Sequence, residues 1–300
     1  MNTMNTIALE LVPPDLDGGV EKAVEEGRKV AENARATGLD GRIRHLMMPG
    51  IIAEDDDRPV EIKPKMDVLD FWKTVQPEVG DVNGLCTQVT AFHDKQQLTE
   101  RLHSLRDAGM DGVAFVGVPR TMADGEGPGL APTDALTQFQ DVIGNRGSIL
   151  IPTREGEQGR FNFKCERGAT YGMTQLLYSD AIVDFLGEFA KQTSHRPEIL
   201  LSFGFVPGAE SNAKLIDWLI QDPGNPAVER EQKFVAELAE RSFAERKQAL
   251  VDLYKRVIDG VGGLGFPLSV HLEAPYGNVK PAFETFAEML DYWAPRPAGS

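Results

Sequence analysis

Short apolar runs alternate with longer amphipathic segments along most of the chain. The short runs are rich in β-branched and aliphatic residues and are bounded by Gly, Pro or Asp, which is typical of β-strands. Strands are therefore predicted at residues 6–12, 42–48, 85–91, 112–118, 148–153, 171–178, 198–206 and 267–274.

The segments between these strands have the periodicity of amphipathic helices. In the segment 20–36 the apolar residues recur at intervals of three and four, which places them on one helical face. The segment 226–259 follows Asn225, a candidate N-cap, and begins with Pro226 at the first helical position. Further helices are predicted near residues 94–108, 132–144, 180–193, 208–221 and 279–293.

Eight strands that alternate with helices indicate parallel βα units. We therefore predict an α/β fold, a single-domain (β/α)8 TIM barrel over residues 1–296 with a short flexible tail at 297–300. The alternative is a doubly wound open sheet. That fold usually carries a glycine-rich turn after its first strand, whereas this chain reads VPPDLDGG there.

Composition narrows the classes of partner. The chain has 300 residues with a formal net charge of −15, which argues against binding to nucleic acid or to an anionic membrane surface. No apolar run approaches the length of a membrane span, and the start MNTMNTIALELV lacks the basic segment of a secretory signal. A cytoplasmic protein is expected, with Cys86 and Cys165 as unpaired thiols.

Alternation along the strands predicts which side chains face the barrel interior. In the first strand Leu9 and its alternate neighbours are bulky and apolar, so they should face the helices, while Glu10 should face inward near the carboxyl-terminal mouth. The same test places Gln175, His271 and Glu273 inward. Gln88 and Thr90 of the third predicted strand are further candidates for the inner face.

Glu10 is the most informative of these residues. A carboxylate among Leu9, Leu11 and Val12 is poorly solvated, which should raise its pKa and make it a proton donor near neutral pH. The alternative is a glutamate paired with an arginine in the barrel core. Gln175 carries both a donor and an acceptor, which would suit the amide edge of a pterin-like ring, or it could be a glutamine satisfied by backbone groups.

Other charged residues give weaker indications. His271 could contact a ligand or carry a proton, and the histidines together lack the spacing of a metal site, so no metal is expected. The acidic run 54–57 is interpreted as a solvated loop rather than a cation site. Arg154, Lys164 and Arg167 follow the fifth strand and could provide positive charge for an anionic ligand, or could pair with their neighbours.

Two stretches carry a family resemblance that extends in order along the chain. LELVPP at 9–14 and KCERGATYGMTQLLYSD at 164–180 resemble motifs of the methylenetetrahydrofolate reductase family, and ILLSFGFVPGAES at 199–211 follows a third motif loosely. The resemblance implies a TIM-barrel enzyme that reduces a folate-bound one-carbon unit with NADH or NADPH. It implies Glu10 as the catalytic acid and Gln175 as a substrate-binding residue. Their predicted inward orientation makes Gln88, Thr90, His271 and Glu273 further candidates for contact with the substrate.

This sequence departs from the family pattern at the positions where the family contacts its flavin, FAD. The family's Arg-Gly-Asp after the fourth strand reads Val116-Gly117-Val118, which keeps only the glycine. Ile151 stands in place of a tyrosine, Glu155 of a histidine and Phe163 of an arginine. The sequence resembles a divergent short-chain branch thought to work without FAD, in which Gly117, Arg154 and Lys164 would contact the nicotinamide cofactor.

Two alternatives to this reading stay open. One is an ordinary FAD-dependent reductase, and the other is a catalytically silent folate-binding paralogue. A buried acid at Glu10 argues against the silent paralogue, because a binding protein does not need one. The oligomeric state and the choice between NADH and NADPH stay open as well.

Overall fold

Eight parallel strands close into a barrel in the computed structural model, which describes residues 3–51, 63–117, 129–209 and 214–296. Each strand pairs with the next, and the last pairs with the first, so the predicted barrel is confirmed and the open sheet is excluded. The strands are β1 Ile7–Glu10, β2 His45–Met48, β3 Asn83–Val89, β4 Met110–Val116, β5 Asn145–Leu150, β6 Tyr171–Thr174, β7 Glu198–Gly204 and β8 Leu268–Glu273.

Helices surround this barrel and bury their apolar faces against it. They are α1 Gly19–Ala36, α2 Val68–Val79, α3 Lys95–Asp107, α4 Pro132–Gln138, α5 Glu157–Glu166, α6 Ala181–Gln192, α7 Lys214–Leu219, α8 Pro226–Ala239, α9 Phe243–Val261 and α10 Lys280–Tyr292. The sequence pattern did not predict α2 or α5. Each lies between two predicted strands, in the position that a βα unit requires.

The segment 226–259 is two helices, so its prediction as one continuous helix was wrong. The predicted start is confirmed, since the Asn225 side chain accepts a hydrogen bond from the Ala227 amide. The chain then leaves the helix after Ala239 and starts another at Ser242. Ser242 and Glu245 form a capping box, in which each side chain bonds the other residue's backbone amide, and this favours a new helix start there.

Two apolar clusters confirm the predicted alternation along the strands. Ile7, Leu9, Leu11 and Val270 belong to the large core between the sheet and the helices. Ala8 belongs to a separate cluster inside the barrel, whose other buried members are Met47, Leu85, Ala114, Tyr171, Met173 and Leu200. Since Glu10 follows Ala8 by two residues, it lies on the inner face of the barrel.

Several predictions fall on residues outside the described ranges. These are the acidic run 54–57, Val118, the tail 297–300 and part of the predicted helix 208–221, of which the structure describes α7. Within the described ranges, the helices lack the combination of length and apolar content that a membrane-crossing segment requires.

Candidate functional site

Three ionisable side chains meet at the carboxyl-terminal mouth of the barrel. Glu10 ends β1, and His271 and Glu273 lie on the neighbouring β8, where Ala8 pairs with His271. A carboxylate oxygen from each glutamate and a ring nitrogen of His271 all lie within 4.8 Å of one another. The three residues, all predicted to face inward, are therefore brought together at the end of the barrel where enzymes of this fold hold their sites.

The buried His271 ring is fixed by two contacts. Its Nδ1 lies 3.0 Å from Glu273 Oε1 and 3.0 Å from Ser202 Oγ on β7. An ionised carboxylate only accepts hydrogen bonds, so the contact with Glu273 favours the tautomer that carries its proton on Nδ1. Nε2 is then an acceptor. It is buried and has no hydrogen-bond partner among the described residues.

The environment of Glu10 favours its protonated form. Removal from water raises the pKa of Glu10 well above its ordinary value, and the negative charge of Glu273 raises it further. The predicted direction of the shift is confirmed, and the charge of Glu273 is a second cause, beyond the predicted poor solvation. A carboxylic acid that keeps its proton toward neutral pH can act as a general acid.

Tyr178 is a further group beside this cluster that sequence reasoning missed. Its phenol is buried, and its hydroxyl has no hydrogen-bond partner among the described residues. Burial raises the pKa of Tyr178 well above the usual range, and the charge of Glu273 adds to this effect. Gly204, which pairs with Glu273 between β7 and β8, leaves the space that the phenol fills, because a Cβ there would lie 2.3 Å from the Tyr178 hydroxyl.

Glu10, His271 and Glu273 could also hold a divalent cation, since they offer oxygen and nitrogen atoms at suitable spacing. No metal site was predicted here, because His271 and Glu273 lie more than 250 positions from Glu10 in the chain and share no local spacing with it. The contacts of His271 Nδ1 with Glu273 and Ser202 give a second explanation of the arrangement, in which a hydrogen-bonded histidine orients Glu273 beside Glu10.

Gln175 lies at a second cavity, of about 170 Å³, between β5, β6 and the segment around α7. Its side-chain amide donates a hydrogen bond to the Leu219 carbonyl, so one of its hydrogen-bond donors is already paired with the backbone. Arg154 and Glu231 line the same cavity. The Arg154 Nε is buried and has no hydrogen-bond partner among the described residues. Gln175 and Arg154 are thus brought together, as two groups able to bind a polar ligand.

Glu231 contributes a buried acid to this second cavity. The Ser179 hydroxyl donates a hydrogen bond to its carboxylate. Burial raises the pKa of Glu231, an effect that the Ser179 hydrogen bond and the charge of Arg230 only partly oppose. The acid that lines this cavity together with Arg154 is therefore less readily ionised than an exposed glutamate.

Gln88 and Thr90 face away from the barrel interior, so their predicted inward orientation was wrong. Gln88 Oε1 accepts a hydrogen bond of 3.3 Å from Arg101 on α3, and the Thr90 hydroxyl donates one of 2.6 Å to the Leu130 carbonyl. Leu85 belongs to the cluster inside the barrel. Because side chains alternate along a strand, residues 86, 88 and 90 point outward. Both faces of this strand mix polar and apolar residues, which left the sequence pattern ambiguous.

Lys164 and Gly117 also lie apart from the two cavities. The Lys164 ammonium donates to the Ile149 carbonyl at 2.7 Å and lies 3.1 Å from Glu157 Oε1. Glu157 is only 1% exposed, so Lys164 balances a buried charge. Gly117 is exposed after β4. Neither residue is among the described residues that line the cavities of Glu10 and Gln175.

The positions at which the resemblance to the reductase family implies flavin contacts carry mostly apolar side chains. Val116 and Ile151 are half-buried and apolar. Phe163 is 45% exposed on α5, and the Arg167 guanidinium lies over its ring at 5.2 Å from the centroid. Glu155 is exposed. The side chains of Val116, Ile151 and Phe163 carry no hydrogen-bonding group for the polar edge of a flavin ring.

The cavity of Glu10 has a volume of about 420 Å³ and lies between the β1–α1 and β8–α10 connections. Asn278 lines its wall, and its side-chain oxygen is buried without a hydrogen-bond partner among the described residues. Lys22 and Lys65 line the same cavity. Sequence reasoning gave no signal for Asn278, which lies in a loop and has no strand parity to place it.

Comparison with known proteins agrees with this fold and gives a family. A family model described as mycobacterial methylenetetrahydrofolate reductase matches residues 3–297. Among solved structures, an uncharacterized protein from Clostridium thermocellum, described as binding two copies of 5-methyl-5,6,7,8-tetrahydrofolic acid, superposes with a TM-score of 0.70. It shares 17% identity, with 96% of each chain covered.

A second structure, QR15, an aldolase, gives a TM-score of 0.41 at 11% identity, with 72% of this chain and 88% of that chain covered. A search of curated protein sequences gave no match.

Proposed function

Because this chain belongs to the mycobacterial methylenetetrahydrofolate reductase family, we propose that it reduces 5,10-methylenetetrahydrofolate to 5-methyltetrahydrofolate with NADH or NADPH as the hydride donor. The observation that carries this proposal is the raised pKa of Glu10 beside Glu273 at the barrel mouth. Binding of 5-methyltetrahydrofolate by the similar Clostridium thermocellum protein supports a folate ligand.

Glu10 supplies the proton that the reaction needs. In the substrate a methylene carbon bridges two nitrogens, and the bond to one nitrogen must break. Protonation of that nitrogen by the Glu10 carboxylic acid lets the nitrogen leave with the bonding electrons, and an iminium forms at the other nitrogen. The nicotinamide supplies a hydride to this carbon, which becomes the methyl group. Glu10 then regains its proton from solvent.

Glu273 and His271 prepare Glu10 for this role. The charge of Glu273 disfavours a second negative charge at Glu10, so Glu10 keeps its proton until substrate accepts it. His271 holds Glu273 through Nδ1, and Ser202 holds His271, so the orientation of Glu273 beside Glu10 is fixed by β7 and β8. Such a set of hydrogen bonds reduces reorganisation during the proton transfer.

Gln175 recognises the pterin in this proposal. Its amide lies directly after β6 at the mouth, with donor and acceptor atoms that match the amide edge of the ring. In the described structure it donates to the Leu219 carbonyl, so binding would exchange that contact for one with the ligand. Arg154 stays a proposed contact for an anionic group of the nicotinamide cofactor.

Hydride transfer is direct in this proposal, without FAD as a relay. The support is the apolar character of Val116 and Ile151 and the exposed position of Phe163, where the family pattern has polar contacts to the flavin. Each buried polar atom of a flavin left without a partner would cost about 1–3 kcal/mol, so several lost contacts would weaken binding strongly.

An isotope experiment tests the reaction and the route together. The purified protein is incubated with methylenetetrahydrofolate and NADH deuterated at the transferable position, and the folate product is analysed by mass spectrometry. Direct transfer should place deuterium in the methyl group without added flavin. A flavin relay would lose label to solvent from the exchangeable flavin N5 position. Folate binding without any reduction would indicate the silent paralogue.

A further inference from the structure

The cavity of about 420 Å³ beside Glu10 has features of a ligand site that the reaction has not yet used. We propose that it binds the dihydronicotinamide ring of the hydride donor, with the Asn278 side-chain oxygen accepting a hydrogen bond from the ring's carboxamide N–H. This inference rests on the proposed function, because it assigns one of the two substrates of that reaction to a place.

Asn278 is held in position as part of the cavity wall. It is 6% exposed, and the Asn33 side-chain amide donates a hydrogen bond of 2.8 Å to its backbone carbonyl. Its own Nδ2 lies 3.5 Å from the Glu10 carbonyl, which turns Oδ1 away from that carbonyl. Oδ1 is buried and has no hydrogen-bond partner among the described residues.

A buried acceptor without a partner calls for a ligand that donates a hydrogen bond. A primary carboxamide has two N–H donors, whereas carboxylate and phosphate groups at neutral pH chiefly accept. The chemistry of Asn278 therefore fits the nicotinamide end of the dinucleotide better than its phosphates or the glutamate tail of folate.

The charges around the cavity point in the same direction. Lys65 lies 2.6 Å from Asp15, and Lys22 lies 3.0 Å from Glu25 and 3.3 Å from Glu26. Both lysines that line the cavity are thus already paired with acids. Asp17 lines the cavity as well, so its wall carries more acidic than basic groups and disfavours an anionic ligand.

The remaining walls suit a flat, uncharged ring. Leu11, Val12, Pro13, Ala274 and Pro275 supply apolar surface. Glu10 lies at the edge of the same cavity, where the reacting part of the folate would receive its proton. Hydride transfer requires the two reacting carbons to approach within roughly 3–3.5 Å. A nicotinamide ring in this cavity would therefore lie next to the folate, with Gln175 at a separate cavity left for the pterin.

The test compares two hydride donors that differ in the carboxamide. Reduced 3-acetylpyridine adenine dinucleotide keeps the carbonyl of NADH and lacks its N–H donors. Binding of each to the full-length protein is measured without folate, by the change in dihydropyridine fluorescence. Wild type should bind NADH about tenfold more tightly than the analogue. Asn278→Ala should reduce this preference to within about twofold, mainly by lowering the affinity for NADH.

Asn162→Ala is the matched control. Asn162 also has a buried side-chain oxygen without a partner among the described residues, but it lies on α5 and lines neither cavity. This variant should keep the tenfold preference. Thermal unfolding and binding of 5-methyltetrahydrofolate by Asn278→Ala should match wild type, which shows that the variant is folded.

Each outcome separates this inference from the proposed function. If wild type prefers NADH and Asn278→Ala keeps that preference, the assignment of the ring to this cavity is wrong while the reductase proposal stands. If Asn278→Ala instead weakens only the binding of 5-methyltetrahydrofolate, the cavity binds the pterin and the inference is also overturned. If wild type binds neither NADH nor NADPH, the proposed function itself fails.

Discussion

The carboxylate of Glu273 at the end of β8 lies within 4.8 Å of that of Glu10 at the end of β1. Because the two strands are hydrogen-bonded neighbours, the closure of the barrel creates this contact between the first and last strands of the chain. Its electrostatic consequence is a further rise in the pKa of Glu10, beyond the rise caused by removal from water. The chemistry of the site therefore depends on a pair of acids.

Replacement of Glu10 by glutamine tests the proton donor. Glu10→Gln keeps the shape of the side chain and removes its acidic proton, so kcat should fall by ~10²- to 10⁴-fold. Binding of 5-methyltetrahydrofolate, measured by titration, should change little. A variant that turns over within about threefold of wild type would show that another group is the acid.

The pH profile should report the protonation of Glu10. The protonated form is the active one, so kcat/KM should decrease as pH rises through the raised pKa of Glu10. Glu273→Gln removes the second cause of that shift and should move the descending limb to lower pH. Glu288→Gln, a change at a half-buried acid on α10 that pairs with Lys247, serves as a control for general charge effects. A limb that stays in place in Glu273→Gln would contradict the coupling of the two acids.

Gln175 should act on folate recognition. Gln175→Ala would leave polar atoms of the pterin unpaired, at a cost of roughly 1–3 kcal/mol in folate binding. Isothermal titration should show this loss for 5-methyltetrahydrofolate and little change for NADH. Equal weakening of both ligands, or a lower Tm alone, would instead assign Gln175 a structural role through its bond to the Leu219 carbonyl.

The close approach of Tyr178 to Gly204 predicts a size limit at that glycine. In Gly204→Ala the new Cβ would lie 2.3 Å from the Tyr178 hydroxyl and 2.7 Å from Leu176 Cδ2, so neighbours must shift. Overpacking of this kind costs about 1–3 kcal/mol, which should lower Tm. Addition of Tyr178→Phe removes the hydroxyl and should recover part of the loss, whereas Gly159→Ala, with no neighbour within 4 Å, should be neutral or stabilising. No recovery in the double variant would show that the strain lies elsewhere.

Divalent cations should inhibit the enzyme if Glu10 works as an acid. A cation held by Glu10, His271 and Glu273 would favour the ionised form of Glu10 and remove the proton that the reaction uses. Steady-state assays should show full activity in EDTA and inhibition by added Zn²⁺. The inhibition should weaken in Glu273→Gln. Loss of activity in EDTA, restored by a metal, would replace the proton-donor proposal with a metal-dependent one.

The sequence by itself determined the architecture and the position of the acid. Eight apolar runs that alternate with helical segments require parallel βα units, and bulky residues on one face of β1 leave Glu10 to the other. The parity of β8 likewise placed His271 and Glu273 inward. These features are local, because the two-residue alternation of side chains along a strand can be recognised from neighbouring residues alone.

Only the tertiary structure decided which groups meet and what each one contacts. The outward orientation of Gln88, the ion pair of Lys164 with buried Glu157, and the positions of Ser202 beside His271 and of Tyr178 near Glu273 follow from strand register and helix placement. Such contacts join residues that are distant in the chain. Their distances depend on how every intervening element packs, and the local periodicity of apolar and polar residues contains no measure of that packing.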